Sequence, residues 1–251
     1  MAESLLLSWF AFAACAAFIL FGGAWLTRYG HAIAEHTGLG GSWVGMVLLA
    51  TVTSLPELVT GVSAVTVADA PNIAVGDALG SCVFNLAIVS VLDWLHRGES
   101  LFDRADIGHL LSAAFGVMLL AFVAFNLVLG TGPGAWSIGH VGLYTPVIVV
   151  FYALAMRIVY QHEKREMARA AAGAARKGGV TLRQAILRYA GAAAIVLVAG
   201  TVLPFAGKAI AAAYGWNASF VGTLLVAAAT SLPELVVTVA AVRIGALDMA
   251  I

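Results

Sequence analysis

Long apolar runs dominate this chain, and the few polar positions inside them supply its pattern. Seven runs come close to the roughly 20 apolar residues that a helix needs to cross a bilayer. They lie at about Leu5–Leu26, Trp43–Ala68, Ile73–Leu95, Ile107–Leu129, Val141–Val159, Ala185–Ala206 and Phe220–Ile244. This predicts an all-α integral membrane protein. The second run holds ATVTSLPELVTGVSAV, Ala50 to Val65, where a proline and a carboxylate interrupt the apolar sequence. Pro56 cannot donate to the carbonyl of Val52, and its ring crowds that turn. Carbonyls near Val52 and Thr53 are thereby freed at membrane depth, where only protein, water or an ion can satisfy them. Glu57 adds a carboxylate that costs on the order of 3 kcal/mol even on lenient insertion scales. Ala50, Ser54, Glu57 and Gly61 share one helical face, with Thr53 beside it. Hydroxyls, loosened carbonyls and one negative charge suit a hard cation, which takes several oxygen ligands.

The same stretch recurs. Ala227 to Val242 reads AAATSLPELVVTVAAV, so Ala227, Thr230, Ser231, Pro233 and Glu234 repeat Ala50, Thr53, Ser54, Pro56 and Glu57 at constant offset. Upstream, Gly23, Leu26, Gly30 and Ile33 pair with Gly200, Leu203, Gly207 and Ile210. Broken helices at matching positions of two repeats point to a transporter's midplane binding site. The third run is the other unusual one: Asp77, Ser81 and Asn85 fall four residues apart on one face, with Gly76 and Gly80 beside them. Those glycines allow close helix packing and do not form a phosphate cradle, since no strand precedes them.

Hydrophobic residues make up 62% of the chain and charged residues 10%, which excludes an ordinary soluble domain with about 25% charge. Net charge is zero and indicates no nucleic-acid partner; the lipid bilayer and inorganic cations are the partners expected, and no obligate protein partner. Cys15 and Cys82 lie in apolar runs and read as inert buried thiols. No cleavable signal pattern precedes the first run. The charge distribution is more informative. The segment 161–184 carries Lys164, Arg165, Arg169, Arg176, Lys177 and Arg183, which predicts a cytoplasmic loop. Arg28, Arg97, Arg104 and Arg243 then fall on the same side and Lys208 outside, with the N-terminus extracytoplasmic. The two repeats are five spans apart and insert in opposite directions, as the inverted repeats of alternating-access carriers do. Residues 1–160 form a first repeat, 161–184 the basic loop and 185–251 a partial second repeat. After Arg243 the chain reads IGALDMAI, with Asp248 to Ile251 matching Asn72 to Val75; the counterpart of the third span would begin there, so a C-terminal truncation is expected.

At these residues the sequence resembles the calcium/cation antiporter superfamily, in its sodium/calcium exchanger membrane region. The family hallmark is a pair of inverted repeats, each with a TSLPE helix followed by a GN-x-x-GSN-x-x-N helix. Thr53–Glu57 and Thr230–Glu234 match the first element without exception. In the second, this chain has Gly76-Asp77 and Gly80-Ser81-Cys82 where the family has GN and GSN. The resemblance implies an inverted-repeat cation antiporter of ten helices, seven of them present, that moves calcium against sodium, or against protons in some branches. It is no enzyme and needs no cofactor; the transported ions are calcium and sodium or a proton. Carried over by position, Glu57 and Glu234 would bind calcium through carboxylates, and Thr53 and Thr230 through backbone carbonyls. Ser54, Ser231, Ser81 and the carbonyls of Ala50 and Ala227 would serve sodium, Asn85 would be a central site residue, and Asp77 is a possible proton site.

Bland readings stand beside these. The two glutamates could be protonated carboxyls that satisfy a kinked backbone, Asn85 could bridge helices, and Asp77 could sit wet at the outer mouth. Asp93 reads as interfacial, and His31 and His36 as residues of the first cytoplasmic link. A proton-coupled calcium antiporter and a non-transporting fragment are the alternatives. Span count alone suggests a seven-helix receptor or retinal photoprotein, but the inverted repeat argues against it and no lysine lies in the last run.

Overall fold

The computed structural model describes residues 2–37, 53–95, 107–129, 137–138, 141–171 and 180–243. They form α1 (Ala2–Thr37), α2 (Leu55–Thr66), α3 (Pro71–Leu95), α4 (Ile107–Leu129), α5 (Tyr144–Ala171) and α6 (Leu182–Tyr214), followed by α7 (Ala218–Thr230) and α8 (Leu232–Arg243). A two-residue antiparallel pairing of Ser137–Ile138 with Val141–Gly142 precedes α5. Five of the described helices are long and apolar enough to cross a membrane, and α7 with α8 adds a sixth, bent by 43°. The remaining predicted span, Trp43–Ala68, is described from Thr53 onward, and Ala50 lies outside the described residues.

Several helices overrun their predicted ends. α1 continues past Leu26 to Thr37 and α6 past Ala206 to Tyr214. The run of apolar residues marks the hydrocarbon, whereas backbone hydrogen bonding stops only at a terminating residue. For α6 that residue is Gly215, at φ 66°, whose N–H returns to the carbonyls of Ala211 and Ala212 as glycine does at helix ends. α5 likewise runs to Ala171, so the first half of the predicted 161–184 loop is helical.

α1 and α6, the opening helices of the two repeats, pack along most of their length. Ile19 and Leu26 of α1 and Val196, Leu203 and Ile210 of α6 are completely buried. Both members of the pair Leu26–Leu203 are thus core, as repeat equivalence requires. Ile73, Val221 and Val226 close the core toward α3 and α7. α4 and α5 pack chiefly on one another, with Phe115 edge-on to Phe151 at 6.0 Å.

Two clusters mark the ends of the α1–α6 pair. At one, Arg28 and Arg188 both flank the Tyr29 ring, at 6.0 and 5.6 Å from its centroid, and Arg188 also donates to the Tyr29 hydroxyl at 3.3 Å. At the other, Tyr214 stacks on Trp216 at 4.6 Å, and Trp9 Nε1 donates to the Tyr214 hydroxyl at 3.4 Å. Near that second end Lys208 Nζ donates to the carbonyls of Ala68 and Asp69 at 2.7 and 3.1 Å. These carbonyls lie just past α2, where helix carbonyls lack partners and a cation is favoured.

Candidate functional site

Each TSLPE motif breaks its helix at the serine. Ser54 has φ −85° and ψ 10°, and Ser231 has φ −85° and ψ 7°; the same sequence produces the same turn in both repeats. Proline two residues later removes the donor that would have continued the ladder. The chain re-forms its helix beyond, with Leu58 N–H on the Ser54 carbonyl at 3.1 Å and Leu235 N–H on that of Ser231 at 3.2 Å. Each glutamate therefore stands in the first turn of a new helix, its carboxylate close to its own backbone N–H.

Close approaches bring the two breaks together. A Cβ on Gly23 would collide with the Pro233 ring, and one on Gly200 would stand 3.1 Å from Val59 and 3.2 Å from Thr60. Each repeat's opening helix is thus notched at an equivalent glycine to seat the other repeat's broken helix. α3 crosses α7 through a second notch. A Cβ on Gly76 would come within 2.6 Å of the Ser219 carbonyl, and one on Gly80 within 2.7 Å of Ala227. Opposite these glycines, Gly222–Val226 is one turn of π-helix, a bulge that frequently accompanies functional sites.

Six polar side chains meet where α2, α3, α7 and α8 converge. Thr230 Oγ1 donates to Asp77 Oδ1 at 2.9 Å and lies 3.4 Å from Ser81 Oγ. Ser231 Oγ donates to Glu57 Oε1 at 3.4 Å, joining the second repeat's break to the first repeat's acid. Glu234 and Asp77 are the acidic side chains near enough to Glu57 to interact with it. Asp77, Ser81, Thr230 and Ser231 are buried, while both glutamates are half-buried. Among the described residues, Glu57 Oε2 and Glu234 Oε2 are buried atoms with no hydrogen-bond partner. An orphaned carboxylate oxygen in each repeat fits a site that presents negative charge to a cation. Among the described residues no three acidic, histidine or cysteine side chains are arranged to hold a metal ion by themselves. A cation here would therefore draw on hydroxyl and carbonyl oxygens too, as hard cations do.

The structure thus brings together Glu57, Asp77, Ser81, Thr230, Ser231, Glu234 and the completely buried Ala227. Thr53 is half-buried at the equivalent of Thr230. Ser54 and Asn85 are exposed, so the described residues do not draw them into the cluster. Asp77 is not a wet residue at the outer mouth: it is 1% exposed and hydrogen-bonded inside. Thr60 was not singled out from the sequence. It is completely buried beside Gly200, its hydroxyl without a partner among the described residues, and its place three residues after Glu57 on the same face was the available signal.

Comparison with known proteins identifies the family. The family model for the sodium/calcium exchanger protein matches residues 7–160 and 185–251. The chain is 27% identical over 225 residues to the uncharacterized membrane protein MJ0091 of Methanocaldococcus jannaschii, covering 90% of this chain and 68% of that protein. It is 29% identical over 211 residues to the inner membrane protein YrbG of Escherichia coli, covering 83% of this chain and 62% of that protein. It thus spans about two thirds of the length of these relatives. No solved structure matches. With most of its length matched and both motif helices meeting at one site, the chain belongs to the sodium/calcium exchanger family of multi-pass membrane proteins.

Proposed function

We propose that this protein is a secondary active antiporter that exchanges calcium for sodium by alternating access, with its cation site at the meeting of the two TSLPE breaks. The observation that carries the reading is the Ser231–Glu57 contact across 174 positions of sequence, together with the orphaned carboxylate oxygen in each repeat. Glu57 and Glu234 would supply calcium with two carboxylate oxygens, and the carbonyls of Thr53 and Thr230 would add neutral ones. Ser231, Ser81 and the Ala227 carbonyl would serve sodium, with Ser54, Asn85 and Ala50 completing the set as the carrier changes state. Once calcium leaves, two carboxylates remain in a low-dielectric region. Charge there is costly, so monovalent cations must neutralise them before the repeats can reorient. Exchange follows from that requirement.

The test is calcium uptake by proteoliposomes holding the purified chain. Uptake driven by an outward sodium gradient, and collapsed by dissipating it, is the expected result. Uptake that ignores sodium and follows a proton gradient would favour the proton-coupled alternative, for which Asp77 is the candidate group. No uptake under either gradient would overturn the antiporter reading.

A further inference from the structure

Asp77 departs from the family's motif, and its surroundings give it a specific task. A hydroxyl has one proton to donate and two lone pairs. Within 3.5 Å, Thr230 Oγ1 has two acceptors, Asp77 Oδ1 at 2.9 Å and the Ala227 carbonyl at 3.2 Å, with the Glu57 carboxylate farther off. The contact with Asp77 is the shorter, and a carboxylate oxygen is the stronger acceptor, so the proton goes to Asp77. The Ser81 proton then goes to Thr230 at 3.4 Å or directly to the Asp77 carboxylate, and either way both lone pairs of the Ser81 oxygen stay unused. The Ala227 carbonyl meanwhile accepts only the Ser231 N–H, at 3.0 Å, and keeps one lone pair clear. These two oxygens, the Ser81 hydroxyl and the Ala227 carbonyl, belong to the set read above as serving sodium.

We propose that Asp77 is a positioning residue that draws the Thr230 and Ser81 hydroxyl protons toward its own carboxylate, and thereby keeps the Ser81 hydroxyl and Ala227 carbonyl oxygens available to the monovalent cation. The inference rests on the calcium–sodium reading of the site. Without an acceptor at position 77, the Thr230 hydroxyl turns to the Ala227 carbonyl, the nearer of its two remaining acceptors, and occupies it. One sodium ligand is then lost and the Ser81 proton loses its direction. Calcium, held chiefly by the two glutamates, is affected less.

The experiment is equilibrium binding of radioactive calcium to the purified full chain in detergent, with displacement by sodium. The unaltered chain should bind calcium and release it to sodium. Asp77→Leu should require about tenfold more sodium for half-displacement, the scale of one charge-assisted hydrogen bond, with a smaller change in calcium affinity. Asp77→Asn, whose amide oxygen still accepts, should stay near the unaltered chain. Thr230→Val in the Asp77→Leu background should lower the sodium requirement again, because no hydroxyl remains to block the carbonyl. Asp77→Ala supplies the same loss of acceptor should Asp77→Leu not fold. Equal impairment in Asp77→Asn and Asp77→Leu would overturn the proposal, as would a double variant no better than Asp77→Leu alone. Failure of the unaltered chain to bind calcium would instead overturn the site reading, and this inference with it.

Discussion

Glu57 and Glu234 occupy equivalent places in the two repeats, yet each meets different neighbours. Glu57 accepts from Ser231, whereas the equivalent Ser54 is exposed. The two acids should nevertheless be individually indispensable, because a divalent cation at this depth needs both charges. Glu57→Gln or Glu234→Gln should each lower calcium uptake by at least about a hundredfold, the loss expected when one partner of a desolvated charge interaction worth about 3 kcal/mol is removed. Size-exclusion profiles should stay unchanged, since an isosteric amide fits the same space. Gly80 makes a different prediction. A side chain there would enter the Thr223 backbone and the Ala227 side chain, and backbone cannot move aside as a flexible side chain can. Gly80→Val should destabilise the folded protein by about 1–3 kcal/mol, the usual cost of overpacking, read as a lower melting temperature in detergent.

At the scale of elements, the broken helix was the most legible feature in the sequence. Proline with an adjacent glutamate in an apolar run has few structural solutions, and its recurrence implied a second identical break; Ser54 and Ser231 adopt dihedrals that agree within a few degrees. The close packing allowed by Gly76 and Gly80 was legible for the same reason. Other features depended on long-range contacts that local pattern does not encode. Asp77 could be placed on the site-bearing face, but its partner Thr230 lies 153 positions away, so its engagement emerged only from the fold. The overrun of α5 to Ala171 was hidden because charge marks where a helix leaves the hydrocarbon, not where it stops. For Lys208 the sequence offered only an expected side of the membrane, and its tie from α6 to the end of α2 emerged from the fold. Lys208→Met removes both donors to the Ala68 and Asp69 carbonyls and should lower stability by about 1–2 kcal/mol, again measurable by thermal melting.

For the whole molecule, the arginine and lysine bias predicts an orientation that can be checked directly. With Cys15 and Cys82 replaced, single cysteines introduced across 172–181 should resist impermeant maleimides in intact cells, and those across 130–136 should react. The reverse pattern would turn both repeats over and exchange the faces to which the site opens. The clusters at the two ends of α1 and α6 carry a further consequence. Arg188 and Tyr214 are 26 positions apart on α6, which is about 39 Å at 1.5 Å per residue. A bilayer with its headgroup regions measures about 40–45 Å. Arginine, tyrosine and tryptophan side chains settle at that boundary, apolar bodies inward and polar tips wet. The helix pair is therefore expected to act as a ruler fixed at both ends. Lipids with shorter or longer acyl chains should force it to tilt or force the bilayer to deform, and the exchange rate should peak at one hydrocarbon thickness and fall on either side.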